Sequence, residues 1–143
     1  MEIRRLGPGD FDSVVAATKL LDGPADESAT RRFLAEENHH LYIAYVDGHP
    51  VGFVSGVEMT HPDKGTEMFL YELSVDELFR QRGIGRALVD RLRELAVERG
   101  CYGMWVLTDE SNAGALATYG RSGAASEHGQ VVLVWTFQDY RET

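Results

Sequence analysis

A pair of glycines between a strand pattern and a helical repeat constrains this chain more than any other feature. Residues 68–75 alternate in character as a β-strand does, and residues 84–100 repeat apolar side chains at helical spacing. Gly83 and Gly85 lie where this helix begins. Because glycine lacks a Cβ atom, backbone N–H groups at a helix start can approach an anion closely. The order strand, glycine loop, helix therefore predicts a phosphate-binding site.

Basic residues surround the glycine loop. Arg80, Arg82 and Arg86 flank the two glycines and add positive charge at the start of the helix. The spacing lacks the third glycine of a dinucleotide-binding fingerprint and the Gly-Lys-Ser/Thr of a P-loop. The alternative to a phosphate site is an ordinary basic turn that caps a helix.

The remaining segments predict an α/β fold. Strands are predicted over residues 3–6, 41–46, 51–58, 68–75, 103–108 and 131–137, with a hairpin turn at Asp47-Gly48. Helices are predicted over residues 10–21, through 31–34, over 84–100 and around 115–119. Because strands and helices mix without strict alternation, we expect one twisted mixed sheet of six to seven strands with helices on both faces. Residues 1–143 are expected to form a single domain.

Composition and charge exclude several classes of function. The chain has 23 acidic and 14 basic residues, a formal net charge of −9, which disfavours nucleic acid as a partner. An acidic field attracts polycationic substrates, although most acidic surfaces serve solubility. The single Cys101 forms no internal disulfide and no long apolar run is present, so we expect a cytoplasmic protein without a membrane partner. Adjacent His39 and His40 give no metal-ligand spacing, so no metal is expected.

A second pattern lies downstream of the glycine loop. Asn112, Ala115, Tyr119 and Gly123 form an N-x-x-A-x-x-x-Y-x-x-x-G arrangement. Together with the R-x-x-G-x-G form of the loop, this pattern resembles the GNAT superfamily of N-acetyltransferases, both in the motifs and in their separation. The resemblance spans nearly the whole chain. It implies the GNAT fold, an N-acetyltransferase activity and acetyl-CoA as the cosubstrate.

The resemblance also implies where acetyl-CoA binds. A bulge at residues 73–75 would splay that strand from residues 103–108 and admit the pantetheine arm. The main chain of residues 81–86 would hold the pyrophosphate, and an N–H near Leu73 would stabilise an oxyanion. Asn112 would contact the pantetheine or an ordered water, and Tyr119 would protonate the leaving thiolate. The implied cofactor-binding residues are Leu73, Ser74, Val75, Arg80, Gln81, Arg82, Gly83, Ile84, Gly85, Arg86, Asn112 and Tyr119.

One carboxylate interrupts the apolar strand before the loop. Glu72 lies next to the implied acetyl position, so it is the predicted catalytic base, with a pKa that partial burial would raise toward neutrality. The alternative is a carboxylate that points to solvent. Further acidic residues are predicted to bind substrate together with Glu72: Asp22, Asp26, Glu27, Asp109 and Glu110.

Local segments narrow the resemblance. Residues 71–75, residues 82–84 and Tyr119 resemble the type I aminoglycoside 3-N-acetyltransferases, as does the opening Arg5-Leu6-Gly7-Pro8. That subfamily carries Asp-Leu-Ala-Val where this chain has Glu-Leu-Ser-Val, and Gly-Phe where this chain has Gly-Ala at 123–124. The subfamily implies acetylation of an aminoglycoside, at the 3-amino group, with antibiotic resistance as the role.

Two other functions remain open at this point. The first is a GNAT enzyme for another amine, such as a polyamine, an amino acid, or a protein N-terminus or lysine. The second is a noncatalytic acyl-CoA-binding module, which the presence of Glu72, Asn112 and Tyr119 argues against.

The last predicted strand is unusual because it is apolar on both faces. Residues 131–135 permit burial inside a sheet or at a dimer interface, and the sequence does not distinguish the two. The family resemblance favours a homodimer.

Overall fold

A computed structural model of the protein describes residues 1–138. Its elements in chain order are β1 (Glu2–Arg5), α1 (Phe11–Ala16), α2 (Glu27–Ala35), β2 (His39–Val46), β3 (His49–His61), β4 (Gly65–Val75), α3 (Ile84–Glu98), β5 (Met104–Trp105) and α4 (Ala113–Arg121), with short 3₁₀ helices at Thr18–Leu20 and Glu77–Phe79. The strands form one sheet in the order β1-β2-β3-β4-β5. Neighbouring strands are antiparallel from β1 to β4 and parallel between β4 and β5, so the predicted mixed sheet is confirmed.

Helices cover both faces of the sheet, as the sequence predicts. Successive strand residues point to opposite faces, and the central strands are apolar on both. On one face, Leu88 and Leu92 of α3 pack with Val54 of β3 and Leu70 of β4. On the other face, Phe53 belongs to the cluster that α1 and α2 cover. The core therefore consists of two apolar layers separated by the sheet.

The first predicted helix is interrupted. α1 ends at Ala16, and a separate 3₁₀ turn covers Thr18–Leu20. The Thr18 hydroxyl donates a hydrogen bond to the Val15 carbonyl at 2.6 Å. Such local side-chain bonds compete with the regular helical hydrogen bonds, so the apolar periodicity of residues 10–21 continues while the α-helix does not. The predicted Asp47-Gly48 turn is confirmed, with positive φ at both residues.

A bulge in β4 lies at Tyr71. Ser55 of β3 pairs with Glu72 and the next residue, Gly56, pairs with Leu70, so β4 has one extra residue here. The insertion lets Leu70 and Leu73, three residues apart, both pack on the α3 face. A bulge was expected at residues 73–75. The alternation of side chains in the sequence does not show which residue is the extra one. A regular strand would place Tyr71 and Leu73 on the same face, and both are acceptable on a buried face.

The C-terminal strand prediction is wrong for the described chain. Residues 131–137 have no strand assignment, and their large apolar side chains are 65–89% exposed. β5 is also shorter than the predicted 103–108, because the chain leaves β4 after Trp105. A strand needs a neighbour that accepts its backbone hydrogen bonds, and the sequence pattern alone does not supply one. The described sheet therefore has five strands rather than six to seven.

A polar network that the sequence pattern does not predict fixes the end of α3 to the sheet. The buried His40 accepts a hydrogen bond at Nδ1 from Arg5, at 2.9 Å, so its Nε2–H is available to donate to Glu58, at 2.6 Å. Arg99, just after α3, also contacts Glu58 at 2.6 Å. Burial lowers the pKa of His40, which favours this neutral tautomer. Burial opposes ionisation of Glu58, but the hydrogen bonds from Arg99 and His40 hold its pKa below the ordinary value.

Two remaining features concern Cys101 and the membrane. Cys101 packs against the α3-side core, and burial raises the pKa of its thiol, as suits a packing residue rather than a nucleophile. Within residues 1–138, no helix is long and apolar enough to span a bilayer.

We predict that Gly56→Ala destabilises the fold by about 1–3 kcal/mol, because α3 packs directly on β3 at this position. An added Cβ would lie 2.7 Å from Leu92 Cδ1 and 3.1 Å from Met68 Sδ, inside the core. Gly7→Ala is the control, since nothing lies within 4 Å of a Cβ added there. Urea unfolding monitored by circular dichroism measures both, and equal stability of the two variants would contradict the prediction.

Candidate active site

A cavity of about 320 Å³ opens where β4 and β5 separate. The two strands pair at Met68–Met104 and Phe69–Trp105 and then diverge. Residues 72–74 of β4 form one wall of the cavity, and residues 106–108 form the opposite wall. The wedge that the family resemblance implies is therefore present. In its walls, the backbones of residues 72–74 and 106–108 do not pair with each other.

The glycine loop lies between β4 and α3 and leads directly into α3. Gly83 is the N-cap of α3, with φ 79° and ψ 7°, and Gln81 also has a positive φ of 62°. The first helical hydrogen bond runs from the Ala87 N–H to the Gly83 carbonyl at 3.0 Å. The N–H groups of residues 84–86 therefore have no carbonyl partner within the helix and point out of its positive end. This geometry suits a phosphate group.

The three arginines around the loop are exposed and anchored by weak contacts. Arg80 donates through Nε to the Val75 carbonyl at 3.3 Å, and the Arg82 guanidinium lies 4.9 Å from the centre of the Phe79 ring. Arg86 lies 3.6 Å from Asp90. Exposed contacts of this kind contribute little stability, so the guanidinium groups remain free to reorient toward an anion.

Glu72 lies on the wall of the cavity, close to a second carboxylate. Its side chain is reached by solvent through the open mouth, but the cavity walls displace much of the surrounding water. This desolvation raises the pKa of Glu72, and the negative charge of Asp22 raises it further. Asp22 follows the first 3₁₀ turn and lines the same cavity. The raised pKa has the direction predicted from the sequence.

The second sequence motif encodes both caps of α4 and places Tyr119. The Asn112 side chain accepts the Ala115 N–H at 3.0 Å and caps the N-terminus. At the other end, the Ala124 N–H reaches the Tyr119 carbonyl at 3.0 Å, and Gly123 has φ 102°, which is a Schellman cap. Tyr119 is buried and lines the cavity, and burial raises the pKa of its hydroxyl. The hydroxyl therefore keeps its proton at neutral pH.

Two of the predicted substrate-binding carboxylates, Asp26 and Glu27, make contacts within the start of α2. Asp26 is the N-cap and accepts the Ala29 N–H at 2.8 Å. Glu27 pairs with Arg31 at 3.2 Å, one helical turn later. Neither residue lines the cavity between β4 and β5. These contacts stabilise the helix start, which is the ordinary role of acidic residues there.

Asp109 and Glu110, which were also predicted to bind substrate, lie in the loop before α4. Asp109 accepts hydrogen bonds from the Ser111 hydroxyl at 2.5 Å and from its backbone N–H at 2.8 Å, which lower the pKa of Asp109. Glu110 is exposed and lies 3.9 Å from His128. Both follow the cavity wall formed by residues 106–108 without lining the cavity themselves. Of the five acidic residues predicted besides Glu72, only Asp22 borders it.

Aromatic residues beside the cavity were missed by the sequence analysis. Tyr71, at the bulge, and Phe53 both border the cavity. Tyr71 is 62% exposed, and its ring lies 5.6 Å from Phe69, which in turn lies 4.4 Å from Trp105. The available signal was the aromatic side chain of Tyr71 directly before Glu72 in the strand over residues 68–75.

Comparison with known proteins identifies the family. Residues 14–124 match the Acetyltransferase (GNAT) family. An acetyltransferase of Pectobacterium atrosepticum is 31% identical over 123 residues, which cover 83% of this chain and 84% of that protein. This chain belongs to the GNAT family. It is an N-acetyltransferase that uses acetyl-CoA.

Solved structures share the fold of this GNAT chain at lower identity. An aminoglycoside acetyltransferase from an uncultured soil metagenomic sample, in complex with sisomicin, has a TM-score of 0.85 and 19% identity, with 96% of each chain covered. An aminoglycoside N-acetyltransferase bound to a CoA-containing bisubstrate analogue has a TM-score of 0.77 and 20% identity, with coverage of 96% of this chain and 98% of that one.

We predict that Glu72→Gln raises the melting temperature at pH 7. A carboxyl whose pKa is raised by folding contributes stability that is fully present below its unfolded pKa and is lost as pH rises through its folded pKa. The ionised Glu72 therefore costs stability at neutral pH, and the difference from Gln should vanish below about pH 4.

The control for this prediction is Glu67→Gln on the same strand. Hydrogen bonds from Tyr102 and His61 lower the pKa of Glu67, so its ionised form stabilises the fold above the unfolded pKa. The two substitutions should change the melting temperature at pH 7 in opposite directions in a thermal scan. A fall in both would disprove the assigned cost of Glu72.

Proposed function

We propose that this GNAT enzyme transfers an acetyl group to a primary amine of an aminoglycoside, at the 3-amino group. The observation that carries the proposal is that Glu72 and Asp22 line one cavity, which Tyr119 also lines. Adjacent carboxylates attract a substrate with several ammonium groups more strongly than one with a single amine. The likeness of residues 71–75 to the aminoglycoside 3-N-acetyltransferases supports the same substrate class.

The described residues fit acetyl-CoA, which supplies an acetyl group activated as a thioester when it is bound. We assign the pyrophosphate to the N–H groups of residues 81–86, with Arg80, Arg82 and Arg86 adding charge around it. The backbone of residues 73–75 would hold the pantetheine arm in the wedge. Asn112 also borders the cavity, although its side-chain oxygen already caps α4.

Two side chains would move the protons of the reaction. Glu72 would take a proton from the substrate ammonium group, for which a raised pKa is an advantage at neutral pH. Tyr119 would give its hydroxyl proton to the departing thiolate, because burial keeps that hydroxyl protonated. A backbone N–H near Leu73 would stabilise the negative oxygen that develops during attack.

The acidic residues other than Glu72 would have different roles, depending on whether they line the cavity. Asp22 would bind a second ammonium group of the same substrate. Asp26, Glu27, Asp109 and Glu110 would contribute through the surrounding negative field, because each is already engaged or lies outside the cavity. We further propose that residues 1–143 act as one domain, since the matched family region and both apolar layers extend through most of it.

We predict that Gly83→Asp weakens acetyl-CoA binding by about tenfold or more, as measured by calorimetry. The substitution adds a negative charge at the positive end of α3, where the phosphate must approach. Gly48→Asp is the matched control, because Gly48 has nearly the same φ of 78° and open space around it, but lies in the β2–β3 turn. Equal loss in both variants would mean that strain rather than the phosphate site is responsible.

We predict that Tyr119→Phe lowers kcat by about a hundredfold and changes acetyl-CoA affinity little, because it removes only the acidic proton. Tyr42→Phe is the matched control, since Tyr42 is equally buried but packs in the α3-side core away from the cavity. Steady-state thiol release measures both. Near-normal turnover of Tyr119→Phe would show that water or another group protonates the thiolate.

A panel of amines tests the substrate class. Thiol release from acetyl-CoA should be fastest with gentamicin-like aminoglycosides, and slower with polyamines, amino acids and peptides. Glu72→Gln should lower kcat at pH 7, with partial recovery at high pH, where the amine loses its proton unaided. Asp22→Asn should mainly raise KM and reduce its dependence on salt. If aminoglycosides release no thiol while a peptide or amino acid does, the proposed substrate is wrong and another amine is the acceptor.

A further inference from the structure

The Ser55 hydroxyl is the one buried side-chain polar group that makes no hydrogen bond within residues 1–138. Ser55 lies in the middle of β3, and its side chain is buried, with 4% of the residue exposed. Burial of a hydroxyl without a partner costs free energy, and such groups are rare in native proteins. Alanine would fill nearly the same space without this cost. The hydroxyl of Ser55 is therefore a candidate for a function.

Ser55 faces the bulge of β4 that carries Glu72. Ser55 pairs with Glu72, and the next residue of β3, Gly56, pairs with Leu70. Paired residues of antiparallel strands place their side chains on the same face of the sheet, with Cβ atoms about 5 Å apart. Rotation about the side-chain bonds of a glutamate brings its carboxylate to a serine hydroxyl at that separation. The carboxylate of Glu72 is therefore within reach of Ser55.

The other cross-strand neighbours of Ser55 offer no carboxylate. On β2, Leu41 pairs with Ser55 and belongs to the apolar cluster that α1 and α2 cover. Phe53, two residues earlier on β3, belongs to the same cluster. Tyr71, the extra residue of the bulge, is 62% exposed. Among these neighbours, Glu72 is the one whose ionised side chain can accept a strong hydrogen bond from the hydroxyl.

Glu72 needs such a donor when the cavity fills. Burial and the negative charge of Asp22 raise the pKa of Glu72, and neither cause is a hydrogen bond. Acetyl-CoA and an amine would displace further water from the cavity, which favours the neutral carboxyl even more. A carboxyl that is protonated at neutral pH cannot take a proton from the substrate. A base in this position therefore requires a donor that remains after the water has left.

We propose that Ser55 is a positioning residue for Glu72, and that its hydroxyl donates a hydrogen bond to the ionised carboxylate once the substrates fill the cavity. This inference rests on the proposed role of Glu72 as the base. The bond replaces part of the lost hydration, keeps Glu72 ionised at neutral pH and holds its carboxylate in one orientation. Ser55 does not line the cavity, so it acts through Glu72 and not on either substrate.

The pH dependence of turnover tests the bond. Ser55→Ala should move the acidic limb of the kcat profile upward by about one pH unit, because a hydrogen bond to a charged group is lost. The plateau at high pH and the affinity for acetyl-CoA should change little. Ser55→Thr keeps the hydroxyl and should restore the limb. An unshifted limb in Ser55→Ala, or an equal shift in Ser55→Thr, would overturn the proposal.

Ser122→Ala is the matched control, because Ser122 is also a buried serine, with 9% of the residue exposed. Its hydroxyl donates a hydrogen bond to Asp90, so the melting temperature should fall while the acidic limb stays in place. Ser55→Ala should not lower the melting temperature, because the hydroxyl has no partner to lose in the free enzyme. A lower melting temperature with an unshifted limb would assign Ser55 a packing role and disprove the inference.

A carboxyl titration tests the same bond without turnover. Protein labelled with ¹³C at the glutamate carboxyl carbons gives a Glu72 signal that is identified by its absence in Glu72→Gln. A complex with CoA and the amine cannot react, because it lacks the acetyl group. In this complex, Glu72 should titrate about one pH unit higher in Ser55→Ala than in the natural chain. Equal titration of Glu72 in the two complexes would contradict the proposed bond.

Glu72→Gln separates this inference from the proposed function, whichever amine is used. If the acidic limb persists in Glu72→Gln, another group is the base, and the proposed mechanism and the role of Ser55 both fail. If Glu72→Gln removes the limb but Ser55→Ala leaves it unshifted, Glu72 remains the base and the inference about Ser55 alone is wrong. When Ser55→Ala is added to Glu72→Gln, kcat should change little further, because the carboxylate partner is already gone.

Discussion

The candidate active site depends on the short length of the hydrogen-bonded ladder between β4 and β5. β3 pairs with β4 along its length, whereas the β4–β5 ladder includes Met68–Met104 and Phe69–Trp105. Beyond that point the two strands separate, and a cavity takes the place of the hydrogen bonds. The bulge at Tyr71 lies near this point, and beyond it Glu72 lines the cavity, while Leu73 both lines the cavity and packs against the α3-side core. The end of the β4–β5 ladder thus supplies the cavity, and the bulge in β4 supplies the carboxylate that lines it.

The helix that follows completes the site because its start must lie close to α4. A Cβ atom added at Gly85 would lie 3.4 Å from Thr118 of α4, so the small residue allows the two helices to meet near the wedge. Leu88 and Leu92 then fix α3 on the sheet, and the Glu58–Arg99 contact anchors its far end. These contacts fix the positive end of α3 relative to the sheet, a geometry that suits the proposed phosphate site. The stability of the core therefore supports the geometry of the loop.

Much of this arrangement could be predicted from the sequence because local rules govern it. The strand before the loop, the start of α3 near Gly83 and a helix around residues 115–119 follow from spacing and residue type, whereas the Asn112 cap of α4 does not. The raised pKa of Glu72 also followed from a carboxylate in an apolar strand. Asp26 and Asp109 show where such reasoning stops: acidic residues in loops look alike in sequence, but their hydrogen bonds to Ala29 and Ser111 depend on local turns. The position of the bulge was likewise beyond the pattern.

The sequence by itself determined the GNAT fold, the glycine at the start of α3 and the place of Glu72 and Tyr119 at the cavity, because each rests on periodicity or on a motif with local geometry. Only the tertiary structure decided which carboxylates meet: Asp22 and Glu72 are far apart in the chain and share one cavity because α1 and α2 pack over the sheet. It also decided that residues 131–137 form no strand within the described chain. A strand pattern shows that a segment can pair, but pairing requires a neighbouring strand edge, and the location of that edge is a property of the folded chain.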